Sequence, residues 1–106
     1  MKESSFQSSL KDELKKRFPG CMVTKLDSSN IQGIPDLLVL YGDKWATLEC
    51  KKSANAKRQP NQEYYVERMN EMSFSSFICP ENKEEVLDEL QHAFQSRRST
   101  RVSRSK

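Results

Sequence analysis

Long apolar stretches are missing from this sequence, so we expect neither a membrane-spanning nor a secreted protein. No segment of the 106 residues approaches the roughly 20 consecutive apolar residues that a transmembrane helix needs. No apolar signal region follows the first residues, Met1–Ser5. We therefore expect a cytoplasmic protein with no membrane partner, located in the bacterial host cytoplasm if a phage encodes it.

Cysteine and histidine are also scarce. The three cysteines, Cys21, Cys50 and Cys79, are widely spaced and contain no CxxC pair, so a zinc cage is not expected. We interpret them as reduced, structural thiols. The single histidine, His92, falls off the apolar stripe of the last predicted helix, which predicts a surface residue.

Charge is abundant by contrast, and its distribution is more informative than the net charge of +3. One basic cluster lies in the middle of the chain, and a second fills the last ten residues, which contain no acid. Such clusters suit a polyanion, although short basic runs also serve only as solubilising tails. The predicted nucleic-acid contacts are Lys52, Lys57, Arg58, Arg97 and Arg98.

The periodicity of apolar residues predicts one domain over residues 1–95 in the order α-β-β-β-α-β-α, followed by a disordered basic tail over residues 96–106. The first helix, 3–18, has an apolar residue at every fourth position. The run 36–41 is continuously apolar, which predicts a strand covered on both faces. In the second helix, 60–72, we expect four residues to face inward. They are Tyr64, Tyr65, Met69 and Met72.

Two acids and a lysine stand at informative positions on the second and third predicted strands. Asp36 follows Pro35 at the start of one strand, while Glu49 and Lys51 leave the same face of the next strand because they are two residues apart. If these strands pair as a hairpin, the two carboxylates converge and repel each other unless a cation joins them. Hard oxygen ligands suit Mg²⁺, with Mn²⁺ as a substitute.

This pattern predicts a metal-dependent phosphodiester hydrolase. Asp36, Glu49 and the backbone carbonyl of Cys50 would bind the metal, which polarises the phosphate and acidifies water. Lys51 would orient the attacking water and stabilise the transition state. The alternative is structural: Asp36 caps a turn, and Glu49 and Lys51 form an ordinary cross-strand ion pair.

The same residues carry a resemblance to a known family. The stretch Ile34-Pro35-Asp36 followed by Glu49-Cys50-Lys51 resembles the PD-(D/E)XK nuclease motif, and within that superfamily the chain resembles VRR-NUC domains and archaeal-type Holliday-junction resolvases. Further matches are Glu3 at the first helix, Gly33 before the proline-aspartate turn, and the segment Arg58–Gln62. The likeness covers roughly residues 3 to 78.

The resemblance implies an α/β fold with a restriction-endonuclease-like core, in which a mixed central sheet is flanked by helices. It also implies that Glu3 is a further acidic ligand, direct or through water, and that Gln62 supports the catalytic site or contacts phosphate. Simple complementarity to the helix dipole is the alternative for Glu3, and an ordinary first-turn polar residue is the alternative for Gln62.

The resulting functional prediction is a Mg²⁺-dependent DNA endonuclease with no other cofactor. We expect it to select branched, flap or junction DNA rather than a sequence, because little protein remains for reading bases. The resemblance to resolvases further implies a homodimer. The alternatives are a non-catalytic DNA-binding protein on the same fold and, third, an interaction module whose tail binds RNA.

Overall fold

A computed structural model of the chain describes residues 2–95. The helices and strands are α1 (Glu3–Arg17), β1 (Met22–Lys25), β2 (Leu37–Tyr41), β3 (Lys44–Cys50), α2 (Pro60–Met72), β4 (Phe74–Ile78) and α3 (Lys83–Gln95). This order confirms the predicted α-β-β-β-α-β-α arrangement and the α/β fold class. The predicted basic tail, residues 96–106, lies outside the described residues, so its disorder stays a prediction.

The four strands form one mixed sheet in the order β1-β2-β3-β4. β2 pairs antiparallel with both β1 and β3, and the β2–β3 hairpin turns through Gly42, whose φ of 63° suits a residue without a Cβ. β3 and β4 are parallel, which requires a crossover, and α2 supplies it. The end of the sheet at which β2 begins is therefore also the end at which β3 finishes and the chain leads into α2.

One face of the sheet is closed by α1 and α3. The predicted four-residue spacing on α1 places its apolar side chains on one side, where they pack against those of α3 and the inward residues of β2, β3 and β4. Phe18, Tyr41 and Phe94 form a compact aromatic cluster at one end, with ring centroids 5.2–5.5 Å apart. Ion pairs from Arg17 to Asp88 and from Lys83 to Glu13 join α1 to α3 outside this core.

Half of the opposite face is covered by α2, which packs against β3 and β4. Thr47 and Ser75 are buried beneath it and share a hydrogen bond of 2.7 Å between their hydroxyl oxygens. Val66 is the buried apolar residue of α2, and Met69 Sδ lies 3.6 Å from the Thr47 hydroxyl. The face under α2 is thus more polar than the face under α1 and α3.

Two sequence predictions about burial are wrong on this side of the molecule. Tyr64 and Met72 were expected to face inward but are 57% and 60% exposed. The run 36–41 was expected to be covered on both faces, yet Leu40 is exposed, as is Met22 opposite it on β1. Both errors have one cause, because α2 packs on β3 and β4 and leaves the outer face of β1 and β2 open.

Within residues 2–95, no helix is both long and apolar enough to cross a bilayer.

Candidate active site

Asp36 and Glu49 lie opposite each other at one end of the two central strands. Leu37 pairs with Leu48 in the antiparallel register, so the preceding residue, Asp36, falls opposite Glu49. Side chains in such directly opposed positions have Cβ atoms about 5 Å apart. Asp36 stands one residue before β2 rather than within it, and its Oδ2 accepts a hydrogen bond of 3.0 Å from the Cys50 backbone N–H. Fully buried Pro35 fixes the chain at this point.

Gln62 links the acidic pair to the lysine. Its Nε2 donates to Glu49 Oε2 at 3.0 Å, while its Oε1 accepts from Lys51 Nζ at 2.9 Å and from the Gln59 backbone N–H at 3.0 Å. The last contact belongs to a capping box between Gln59 and Gln62, with Pro60 starting the helix. The start of α2 is therefore tied directly to the functional groups of β3.

The structure thus brings together the four residues predicted as catalytic: Asp36, Glu49, Lys51 and Gln62. Two features of the sheet bring the strand residues together: the alternation of side chains along β3 and the pairing register of β2 with β3. Glu49 and Lys51 project from one face because a strand alternates, and Asp36 projects to that face because it is opposite Glu49. Their chemical roles stay predictions, since proximity alone does not assign them.

Burial raises the pKa values of both acids, and repulsion from Asp36 raises the pKa of Glu49 further. Burial raises the pKa of Asp36, and the Cys50 N–H and then Lys51 and Lys25 partly offset this rise. Glu49 is only 3% exposed, and burial followed by repulsion from Asp36 raises its pKa to about 8, against the lowering effect of Lys51. The pair therefore resists double ionisation at neutral pH unless a further positive charge joins it.

The donor set fits a hard divalent cation. One oxygen of each carboxylate is held by the protein, Asp36 Oδ2 by the Cys50 N–H and Glu49 Oε2 by the Gln62 amide. That leaves Asp36 Oδ1 and Glu49 Oε1 to serve as ligands, and carboxylate oxygens suit Mg²⁺ or Mn²⁺. The observed contact of Cys50 with Asp36 is through its N–H, so a role for its carbonyl stays a prediction.

Glu3 lies near this pair but does not complete a metal cage. It contributes to the raised pKa of Glu49, which places its charge in the neighbourhood. Yet in the part of the chain that the structure describes, no three His, Cys, Asp or Glu side chains gather into a metal-binding group. Glu3 stands at the exposed first turn of α1, and its role as a ligand, direct or through water, stays a prediction.

The cysteines have structural surroundings, as predicted. All three are unpaired thiols; Cys50 and Cys79 are buried and Cys21 is half-buried. Burial, reinforced by the neighbouring acids Asp36 and Glu49, raises the pKa of the Cys50 thiol to about 12. A thiol that holds its proton so firmly is a poor nucleophile, which agrees with a structural side chain at Cys50.

The predicted nucleic-acid contacts are distributed unevenly. Lys52, Lys57 and Arg58 are exposed on the segment between β3 and α2, beside the acidic pair. Arg97 and Arg98 lie outside the described residues, while His92 is exposed as predicted. Sequence reasoning missed Phe77, whose ring lies 4.0 Å from the Arg58 guanidinium, because no local pattern links two residues that are 19 positions apart.

Fold and site together define a class of protein. A mixed sheet with the order α-β-β-β-α-β-α, carrying a proline-aspartate turn opposite a Glu-x-Lys strand, is the architecture of the PD-(D/E)XK nucleases. Comparison with known proteins narrows this class. A solved structure described as a VRR_NUC domain is 30% identical, with a TM-score of 0.58, over 80% of this chain and 94% of that chain.

A second solved structure, described as a VRR_NUC domain protein, has a TM-score of 0.64 over 90% of this chain and 89% of that one, and at 14% identity it supports the fold alone. No family model and no curated protein matches the sequence. On the strength of the 30% identical structure, this chain belongs to the VRR-NUC family, whose name and fold indicate a nuclease.

Proposed function

We propose that this protein is a Mg²⁺-dependent endonuclease that hydrolyses phosphodiester bonds in DNA, with Mn²⁺ as a substitute. The observation that carries the proposal is the opposed pair Asp36 and Glu49, joined through Gln62 to Lys51. Asp36, Glu49 and the Cys50 carbonyl would hold the metal, with Glu3 acting through water. A metal bound there would polarise the phosphate and acidify a water molecule.

The chain's own groups prepare the reaction by fixing charge in place. Gln62 holds the Lys51 ammonium at one end of its amide and the Glu49 carboxylate at the other, so their separation is set before substrate arrives. Lys51 can then donate to the attacking water or to a phosphate oxygen as negative charge develops there. Because Gln62 is itself anchored by the Gln59 N–H, this arrangement needs little reorganisation.

Preference for DNA structure over DNA sequence is part of the proposal. The exposed basic residues Lys52, Lys57 and Arg58 suit contacts with phosphates, which position a duplex but carry no sequence information. The described residues form one four-stranded sheet with three helices, which leaves only the connecting segments for reading bases. We therefore expect branched, flap or junction DNA to be cut in preference to particular sequences.

A non-catalytic DNA-binding protein on the same fold is the alternative. It would require the basic surface but not a buried glutamate whose pKa is raised to about 8 beside a second acid. Such a pair costs stability and is easily lost when chemistry does not require it. The opposed acids therefore favour the enzyme.

The test is cleavage of a labelled DNA panel containing linear duplex, flap, four-way junction and single strand, in Mg²⁺, Mn²⁺ or EDTA. Asp36→Ala is compared with Asp43→Ala, which removes an equally charged but exposed acid from the β2–β3 turn. We expect metal-dependent cutting by the wild type and Asp43→Ala only, with the best substrate defining the preference. Tight binding without cutting in either metal would support the DNA-binding alternative instead.

Pairing of two copies is the remaining part of the proposal. Apolar and aromatic side chains of α2, among them Tyr64 and Met72, are exposed and available for contact. Sedimentation equilibrium of the protein alone would give twice the monomer mass if the homodimer forms. A monomer at micromolar concentration, in the presence and absence of junction DNA, would contradict it.

A further inference from the structure

An open cavity adjoins the candidate active site through Lys51, which belongs to both. It is bordered by the segment after β3, the end of β4 and the turn into α3, and it spans about 270 Å³ when the solvent at its open mouth is included. Lys51 and Arg58 contribute its positive charge, Phe77 its apolar wall, and Asn82 its polar wall. Nothing in the proposed hydrolysis uses this cavity.

Arg58 is held in place at this cavity rather than extended freely into solvent. Its guanidinium carbon lies 4.0 Å from the centroid of the Phe77 ring, the geometry of a cation–π contact. A guanidinium group presents its N–H donors as a planar fork that matches phosphate oxygens, and the contact with Phe77 restrains the Arg58 side chain that carries it. Lys57, the neighbouring cation, is exposed and does not line the cavity.

Hydrogen bonds fix the walls of the cavity. Asn82 Oδ1 accepts from the Cys79 N–H at 2.8 Å, and Asn82 Nδ2 donates to the Phe77 carbonyl at 3.4 Å. Across the opening, the Ala54 N–H donates to Glu81 Oε1 at 3.1 Å, which ties the segment after β3 to the turn before α3. This bond also occupies one oxygen of the acid nearest the opening.

Lys51 connects the cavity to the reaction. Lys51 is one of the residues that line the cavity, and its Nζ donates to Gln62 in the candidate active site. A group bound in the cavity is therefore a neighbour of the phosphate that reacts. The arginine and lysine that line this small cavity suit a single phosphate group, because both cations bind phosphate oxygens.

We propose that this cavity is a phosphate-binding subsite, separate from the site of hydrolysis, that takes a neighbouring phosphate of the same DNA strand. Arg58, held by Phe77, is its principal binding residue. The proposal rests on the proposed function, because it assumes that the DNA strand being cut runs past Lys51 to the cavity. The bound group is a phosphate oxyanion, either an internal phosphodiester or a terminal monophosphate.

The test is DNA binding in EDTA, measured by fluorescence anisotropy with labelled flap DNA, so that cleavage plays no part. Arg58→Ala should weaken binding about 10-fold or more, the loss expected for one charge-assisted contact. Arg58→Lys should fail to restore most of it, since lysine lacks the planar donors. The matched control Lys57→Ala should change binding less than about 3-fold, as exposed phosphate contacts do.

Comparable losses from Lys57→Ala and Arg58→Ala, or full restoration by Arg58→Lys, would overturn the subsite and leave a diffuse basic surface. Arg58 is exposed, so these variants should keep the wild-type melting temperature.

Two further DNA substrates identify which phosphate is bound. An Arg58 effect that persists on circular DNA without ends indicates an internal phosphodiester, and one confined to 5′- or 3′-phosphorylated ends indicates a terminal monophosphate. Failure of the proposed nuclease would appear separately, as wild type that binds but does not cut in Mg²⁺.

Discussion

The two faces of the sheet differ in what they contribute, and the third strand shows this within seven residues. Ala46, Leu48 and Cys50 point toward α1 and α3 and belong to the apolar core. Thr47 and Glu49 alternate with them and point toward α2, buried but polar. Stability is therefore concentrated on the α1/α3 face and chemistry on the α2 face, so a substitution should affect mainly one or the other.

The largest change in stability should come from the α1/α3 face. Leu87 is fully buried in the core, so Leu87→Ala should lower the free energy of unfolding by about 2–5 kcal/mol, the range for such truncations. Urea denaturation followed by circular dichroism measures this loss. Cleavage rate per folded molecule should stay at the wild-type value, and a large fall in it would show that the two faces are coupled.

On the α2 face, Glu49 should make the free energy of unfolding depend on pH, by about a few kcal/mol in total. Because the pKa of Glu49 is raised to about 8 in the folded protein, the folded state keeps a proton that the unfolded state loses above its ordinary pKa of 4.5. The associated stability is fully present below pH 4.5 and is lost as pH rises to about 8. The slope is at most about 1.4 kcal/mol per pH unit.

Urea midpoints of the wild type in EDTA between pH 5 and pH 9 test this sign. Saturating Mg²⁺ should reduce the decline, because a cation favours the ionised carboxylates. A stability that rises between pH 5 and pH 8 without metal would contradict the assignment of a raised pKa to Glu49.

An intermediate effect should come from the turn that leads into Asp36. Gly33 has a φ of 93°, and a Cβ added there would lie 2.8–2.9 Å from atoms of Asn61 on α2. Gly33→Ala should therefore cost about 1–3 kcal/mol and also slow cleavage, because it displaces the chain next to Asp36. Gly20→Ala is the matched control, with a φ of 90° and open space around the added Cβ.

Gly20→Ala should lower the free energy of unfolding by about 1 kcal/mol, because it adds the strain of a positive φ without a steric clash. It should leave cleavage unchanged. Thermal unfolding and the cleavage assay on both variants separate the two contributions. Equal effects of the two substitutions on cleavage would show that the contact of Gly33 with Asn61 does not position Asp36.

The smallest effect should come from the polar pair under α2. Thr47→Val leaves the buried Ser75 hydroxyl without the partner it has at 2.7 Å, at a cost of about 1–2 kcal/mol. The double variant Thr47→Val/Ser75→Ala should lose less than the sum of the single losses, as a double-mutant cycle would measure. Strict additivity would show that the hydroxyl–hydroxyl bond contributes nothing to stability.

Sequence periodicity was sufficient for the elements and for the α1/α3 face. Phe6, Leu10, Leu14 and Phe18 repeat every four residues and are all buried, because one helix face meets one sheet face. The grouping of Asp36 with Glu49 was also predictable, since strand alternation and a short hairpin fix it. These features depend on short-range order along the chain.

Features that depend on how far one element covers another were not predictable. Tyr64 and Met72 have the composition of core residues, but the width of the sheet that α2 covers is a property of the assembled fold. The stacking of Arg58 on Phe77 and the close approach of Gly33 to Asn61 likewise join segments that are distant in sequence. No local pattern records such contacts.

The division between the faces is tested most directly by Glu49→Gln, with cleavage in Mg²⁺ and urea unfolding in EDTA measured at pH 8 on the same samples. The substitution removes a buried charge opposite Asp36 while keeping a side chain that can accept the Gln62 hydrogen bond. We predict a variant that is more stable than the wild type without metal and that has lost cleavage by about 1,000-fold or more. A variant that cuts DNA as well as the wild type, or that is less stable than it, would contradict a catalytic role maintained at the expense of stability.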